Sequence, residues 1–255
     1  MNINPSNHES RIHMLEIASF VMGKTEVIHP VLIHDRERAV LVDAGYPGQI
    51  AKFAEALSPY GLGLQDVTQV IITHQDLDHI GNLPAMLEQS KRGIEVLASA
   101  EEKPYIEGAK MILKITPEAL AAAEAMIPPG VSDAWKQAFL SMLKNPPKSP
   151  VHRVIHDGQI LPLCGGIEVI ATSGHTPGHI SLYHIPSKTL IAADALRVAD
   201  GRLCGPDPDQ TLDMERAKAS VKKLADYDIE TVICYHGGLY QDGNISQTLR
   251  KLAAG

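Results

Sequence analysis

Aromatic side chains are scarce in this 255-residue chain, at 4% of the sequence, and cysteine is scarcer still, with three residues. Cys164, Cys204 and Cys234 are far apart and odd in number, which fits a reducing compartment better than a disulfide framework. A surplus of positive charge is missing too. The 23 Lys plus Arg stand against 30 Asp plus Glu, and a formal charge of -7 argues against a nucleic-acid backbone or an anionic membrane as main partner. No apolar run approaches the roughly 20 residues of a membrane-spanning helix. Residues 1–12 carry neither a basic n-region nor an apolar h-region, so no signal peptide is expected and the chain reads as a soluble cytoplasmic protein. What is present is a globular composition, 44% hydrophobic and 21% charged, with a length suited to one large domain over residues 1–255.

Short apolar runs at 15–21, 27–33 and 39–43, with the polar Asp35-Arg36-Glu37-Arg38 between the last two, predict an antiparallel start. Ile50, Phe53, Ala54 and Leu57 then share a helical face, stopped by the glycines at 61 and 63. Val70-Ile71-Ile72 is apolar on both faces, as a fully buried strand is, and runs into His74. A helix at 83–89 and a strand at 94–98 follow. Residues 101–150 have a different texture. Thr116-Pro117-Glu118 starts one helix, and Ser132 caps a second whose Trp135, Phe139, Met142 and Leu143 share a face. Two such helices bury too little to stand alone, so this stretch is expected as a helical insertion over the main body. Strands return at 152–155, 159–163, 167–172, 179–184 and 189–193, then a helix at 212–224 and a strand at 231–235. Two strand-rich halves hint at an internal duplication.

The chemistry concentrates where strands end. In Thr73-His74-Gln75-Asp76-Leu77-Asp78-His79, four potential metal ligands fall within six residues. In an extended stretch His74, Asp76 and Asp78 face one way, and a turn at 78–79 brings His79 to the same side. His175 lies in Ser173-Gly174-His175-Thr176-Pro177-Gly178-His179, Asp194 ends Thr189-Leu190-Ile191-Ala192-Ala193, and His236 ends Val232-Ile233-Cys234-Tyr235. Each has a bland alternative, Asp194 as a cap and His236 as the residue before the Gly237-Gly238 turn. The common placement favours a shared centre.

These residues resemble the metallo-β-lactamase superfamily, whose first motif is H-x-H-x-D-H, followed by a His, an Asp and a last His on separate loops. The resemblance covers about residues 14–240. It implies an α+β fold, a four-layer αββα sandwich with the insertion at 101–150. It also implies a binuclear metal site. His74 and His175 would hold one ion with Asp76 in place of the usual second His; Asp78, His79 and His236 would hold the other; Asp194 would bridge. Asp43 matches the family's supporting acid, and His179 is given a packing or supporting role. The ions are expected to be divalent, zinc first, with iron or manganese admitted because Asp76 adds a hard oxygen and a negative charge.

The function implied is hydrolysis. A hydroxide shared by the two ions attacks an ester, lactone, thioester or amide carbonyl, with Asp78 as the catalytic carboxylate that orients it and returns the proton. The insertion resembles that of the lactonase and small-ester hydrolase branch. Glyoxalase II-like enzymes carry a further helical domain, and Ala195 stands where quorum-quenching lactonases typically offer Tyr, so any phenol must come from elsewhere, with Tyr235 or Tyr240 in view. Two alternatives stay open: a di-iron redox protein, because the flavodiiron branch also carries a carboxylate at the Asp76 position, and a catalytically silent metal-binding relative. A small molecule is the expected partner, with a homodimer left open and neither nucleic acid nor membrane expected.

Overall fold

The computed structural model describes residues 10–21, 24–90 and 92–254. Residues 1–9, most of the stretch read for a leader, lie outside the described part. Along the chain the first elements are β1 (Arg11–Met14), β2 (Ile17–Val21), β3 (Lys24–Ile28), β4 (Val31–His34), β5 (Ala39–Val42), α1 (Ile50–Leu57) and β6 (Gln69–Ile71). Next come α2 (Leu77–Ile80), α3 (Leu83–Gln89), β7 (Glu95–Ser99), α4 (Lys103–Ile106), α5 (Pro117–Ala125), α6 (Asp133–Lys144) and β8 (Arg153–Ile155). The second half runs β9 (Ile160–Leu161), β10 (Ile167–Ala171), β11 (Ile180–His184), β12 (Thr189–Ala193), β13 (Arg197–Ala199) and β14 (Arg202–Cys204). It ends in α7 (Met214–Leu224), β15 (Thr231–Cys234), β16 (Gly238–Tyr240) and α8 (Ile245–Ala254).

Two six-stranded sheets form, in the orders β1-β4-β5-β6-β7-β8 and β16-β15-β12-β11-β10-β9. Each half of the sequence therefore builds one sheet. The first begins with antiparallel pairs and continues with three parallel ones from β5 to β8. In the second, the β12–β15 pair is parallel and its neighbours are antiparallel.

Side-chain alternation explains why the sheets stack. On β5, Val40 and Val42 pack into the space between the sheets while Ala39 and Leu41 turn outward. On β12 and β15, Ile191 and Ile233 face the same inner layer, with Leu190, Ala192, Val232 and Cys234 on the other side. Phe53 and Leu57 of α1 and Leu83 and Met86 of α3 cover the outer face of the first sheet; Val221 and Leu224 of α7 and Leu249 of α8 cover that of the second. The result is the expected αββα sandwich, with both sheets buried on two faces, which is why their strands read as continuous apolar runs.

Three sequence expectations need correction. The 27–33 run is two strands, β3 and β4, broken at His29-Pro30, because Pro30 has no N–H to give a ladder. Residues 77–80 are helical rather than extended, so Asp78 and His79 belong to the first turn of α2. β1, β13, β14, β16, α4 and α8 were not anticipated. The two caps in the 101–150 stretch are as expected: Thr116 Oγ1 accepts from Ala119 N, and Ser132 Oγ accepts from Trp135 N. α5 and α6 bury no residue fully; Lys136 of α6 pairs with Glu124 of α5 at 3.0 Å, and within α6 the Trp135 and Phe139 rings stack at 5.2 Å.

Candidate metal centre

Strand ends from both sheets deliver the polar groups to one rim. β5 runs out into Asp43, β6 into Thr73 and His74, β12 into Asp194 and β15 into Tyr235 and His236. Asp43 and Ala193 hold positive φ values of 67° and 48°, sparsely populated for residues with a Cβ. The β12–β15 register also shifts between Ile191 and Ala193, and this irregularity turns Asp194 out of the ladder toward the rim.

All seven predicted ligand groups converge. His74, Asp76 and His175 form one triplet of ligand atoms, His74, His79 and Asp194 a second, and Asp78, His79 and His236 a third, each within 4.8 Å of one another. Asp76 Oδ2 lies 3.3 Å from His74 Nε2 and 3.0 Å from His175 Nε2. Asp78 Oδ2 lies 3.5 Å from His79 Nε2 and 3.3 Å from His236 Nε2. Asp194 spans the two halves, with Oδ1 3.4 Å from His79 Nε2 and Oδ2 3.3 Å from His175 Nε2 and 3.5 Å from His236 Nε2. Asp76 is the N-cap residue of α2, yet its side chain makes no capping bond and turns inward instead. The alternative in which it points away from the cluster is not what the fold builds.

Behind these groups, a shell of acceptors sets the imidazoles. Asp43 accepts from Thr73 N and Thr73 Oγ1, both at 2.8 Å, and from His79 Nδ1 at 2.9 Å. Thr73 Oγ1, its proton committed to Asp43, accepts from His74 Nδ1 at 3.0 Å. Both rings thereby turn Nε2 toward the cluster. Glu26 does for His236 what Asp43 does for His79: its Oε1 is 3.1 Å from His236 Nδ1, and its Oε2 accepts from Tyr46 Oη at 2.8 Å. His179 is fully buried, pairs through Nδ1 with Thr172 Oγ1 at 2.8 Å and accepts from Asp194 N at 3.2 Å, so it props up Asp194 rather than joining the cluster.

Two observations test whether cations fit. His74 Nε2, His79 Nε2, Asp76 Oδ1 and Asp194 Oδ1 are buried with no hydrogen-bond partner, a cost that ligation removes. The electrostatics agree. Burial by itself would raise Asp76 and Asp194, but the surrounding histidines, with Lys114 beside Asp76, hold both well below the usual carboxylate range. Burial would lower His79 and His236, but carboxylates override it: Asp78, Asp43 and Asp194 lift His79, and Asp194, Asp78 and Glu26 lift His236. So concentrated a set of carboxylates draws positive charge, and imidazole with carboxylate is a donor set for divalent transition metals.

A cavity of about 450 Å³ opens over the cluster, lined by Tyr46, Asp76, Asp78, Arg197, Gln210 and His236 among others. The phenol on its wall is Tyr46. Tyr235 is buried beneath, its hydroxyl donating to Asp78 O, and the Tyr240 hydroxyl pairs with exposed Asp242 instead. Sequence reasoning missed Glu26, Tyr46, Glu102 and Lys114. Glu102, 0% exposed, accepts from Gln75 N, Gln75 Nε2, Thr176 Oγ1 and Gly178 N. It thus ties the loop of His74 and Asp76 to the loop of His175.

Fold and site together define the class of metal-dependent hydrolases built on two facing sheets. The family model described as the metallo-β-lactamase superfamily matches residues 25–236, and the chain belongs to that superfamily. It is 30% identical over 226 residues to the probable metallo-hydrolase YflN of Bacillus subtilis (strain 168), covering 84% of this chain and 81% of that one. It is 28% identical over 208 residues to a hydroxyacylglutathione hydrolase of Ruegeria pomeroyi, covering 80% of this chain and 59% of the relative. Among solved structures, a metallo-β-lactamase family protein of Thermus thermophilus shares the fold with a TM-score of 0.68 at 23% identity, over 95% of this chain and 78% of that one. No helix among the described residues is long and apolar enough to cross a membrane.

Proposed function

We propose that the chain is a binuclear metal-dependent hydrolase that cleaves an ester, lactone or related carbonyl compound. His74, Asp76 and His175 form one half of the centre, Asp78, His79 and His236 the other, with Asp194 between them. Divalent cations in such a centre lower the pKa of water toward neutrality and polarise a carbonyl oxygen. Zinc suits the imidazoles best, and Asp76 widens the choice to iron or manganese. The observation that carries the reading is the set of buried, unpartnered nitrogen and oxygen atoms aimed into one cluster from both sheets.

The chain's own groups divide the remaining work. Asp78, at the cavity wall, takes the proton of the attacking water and returns it to the leaving group. Asp43 and Glu26 hold the His79 and His236 rings so that their lone pairs stay on the cluster side. Arg197 offers a cation and Gln210 an amide at the mouth, suited to a polar acyl or alcohol portion of a small substrate. The hydroxyacylglutathione hydrolase among the relatives extends the substrate class to thioesters. The test is a panel of aryl esters, lactones and thioesters offered to the metal-loaded protein. Turnover of at least one class that Asp78→Ala abolishes, with the circular dichroism spectrum unchanged, supports the reading; full turnover by that variant refutes the role given to Asp78. Asp76 also favours a second reading, a di-iron redox centre, for which anaerobic reduction of oxygen or nitric oxide by the iron-loaded protein is the discriminating assay.

A further inference from the structure

The two halves of the centre are not equivalent. Lys114 Nζ lies 2.5 Å from Asp76 Oδ2 and 2.7 Å from His175 Nε2. Both atoms face the cluster: Asp76 Oδ2 lies 3.3 Å from His74 Nε2, and His175 Nε2 lies 3.3 Å from Asp194 Oδ2. In the second half, Asp78 pairs with the imidazoles of His79 and His236.

The lysine is placed there by the fold. Ile112 is buried and Ile115 packs against the core on either side of it. Leu113 N donates to Gln75 Oε1 at 2.8 Å, and the Gln75 amide in turn donates to buried Glu102 at 2.7 Å. The backbone carrying Lys114 is thus tied to the residue between His74 and Asp76. Its side chain is 19% exposed, which gives the ammonium a route out to solvent.

Valence then decides what this position means. A neutral imidazole nitrogen has a single lone pair, so His175 Nε2 cannot accept from an ammonium and ligate a metal at once. Charge points the same way: Asp76 adds one negative charge to the first half, and Lys114 supplies one positive charge to match it.

We propose that Lys114 is the resident cation of the first half, and that a metal ion enters this half only by displacing its ammonium, so the centre fills in order, the Asp78–His79–His236 half first. This rests on the metal-centre reading above and adds an unequal affinity that the reading alone does not require. Losing a charge-assisted hydrogen bond pair to the ammonium corresponds to about ten- to a hundred-fold in the affinity for the competing ion.

The experiment is a Zn²⁺ titration of chelator-stripped protein against a chromophoric zinc indicator, on the natural chain and on Lys114→Met, with Lys114→Gln as a second uncharged variant and circular dichroism to verify folding. The expected result is two unequal steps in the natural chain, with the weaker one tightening about ten- to a hundred-fold in either variant and the stronger one unchanged. Equal steps in the natural chain, no change in the variants, or the same change in both steps would overturn the proposal while leaving the metal centre standing. A natural chain that takes up no zinc at all would overturn the metal reading itself.

Discussion

Glu102→Ala is the substitution whose cost follows most directly from geometry. The carboxylate is fully buried and accepts four hydrogen bonds of 2.7 to 3.0 Å from Gln75 N, Gln75 Nε2, Thr176 Oγ1 and Gly178 N. Truncation removes the common acceptor and leaves four donors in a buried space. At about 1 kcal/mol for each, the low end because water can enter the room the carboxylate vacates, the loss is about 4 kcal/mol. That is a large share of the roughly 5–15 kcal/mol that holds an ordinary domain together. Glu102→Gln keeps the shape and one acceptor oxygen, so about half the loss is expected. Urea unfolding of the metal-free protein, followed by far-ultraviolet circular dichroism, measures both. Lys188→Ala serves as the control, since its pairs with Asp228 and Glu230 are solvent-exposed and contribute little to stability. If Glu102→Ala cost no more than that control, the claim that one carboxylate clamps the two ligand loops together would be wrong.

Other perturbations test other links. Asp76→His exchanges a carboxylate for an imidazole where the side chain faces His74 and His175, so the variant is expected to bind metal with a stronger preference for zinc over manganese. An unchanged ratio in mixed-metal competition, read by elemental analysis, would count against ligation by residue 76. Acid sensitivity has a predicted sign at His184, whose pKa burial pushes down. The native ring stays neutral while the unfolded chain takes up its proton near the ordinary value of about 6.5. Its contribution to stability is therefore complete above that pH and declines as pH falls toward the native value. His184→Gln should lose less stability than the natural chain between about pH 7.5 and 5.5, and an identical decline would contradict the assignment.

How much of this was legible in the sequence differs from residue to residue. The ligands were legible because each sits where an apolar strand stops, and a buried strand that ends on His or Asp has few other reasons to do so. The reason given for their convergence was only partly correct, since Asp78 and His79 are brought round by the first turn of α2 and not by extended alternation. Glu26 and Glu102 left no signal. Each acts through a contact made by folding, Glu26 across 210 positions to His236 and Glu102 across 74 to Thr176, and in the sequence each is one acid among many. Lys114 was equally silent, because its meaning depends on a loop that Gln75 fastens 38 positions away. The short strands β13, β14 and β16 pair in stretches of three residues, too brief for alternation to register. α8 packs through Ile245 and Leu249, with Leu252 and Ala253 partly buried beside them, an i, i+4, i+7 face that the sequence carries and that went unread.

The most direct test of the central claim is the metal content of the protein after reconstitution with excess zinc and gel filtration, measured by elemental analysis alongside a chain carrying His79→Ala and Asp194→Ala together. Two ions per natural chain at saturation, at least one surviving filtration, and fewer in the double variant, which loses the bridging Asp194 and a ligand of the Asp78–His79–His236 half, are the predicted results. A natural chain that emerges without metal, or a double variant that retains as much, would mean that these imidazoles and carboxylates are not a metal centre.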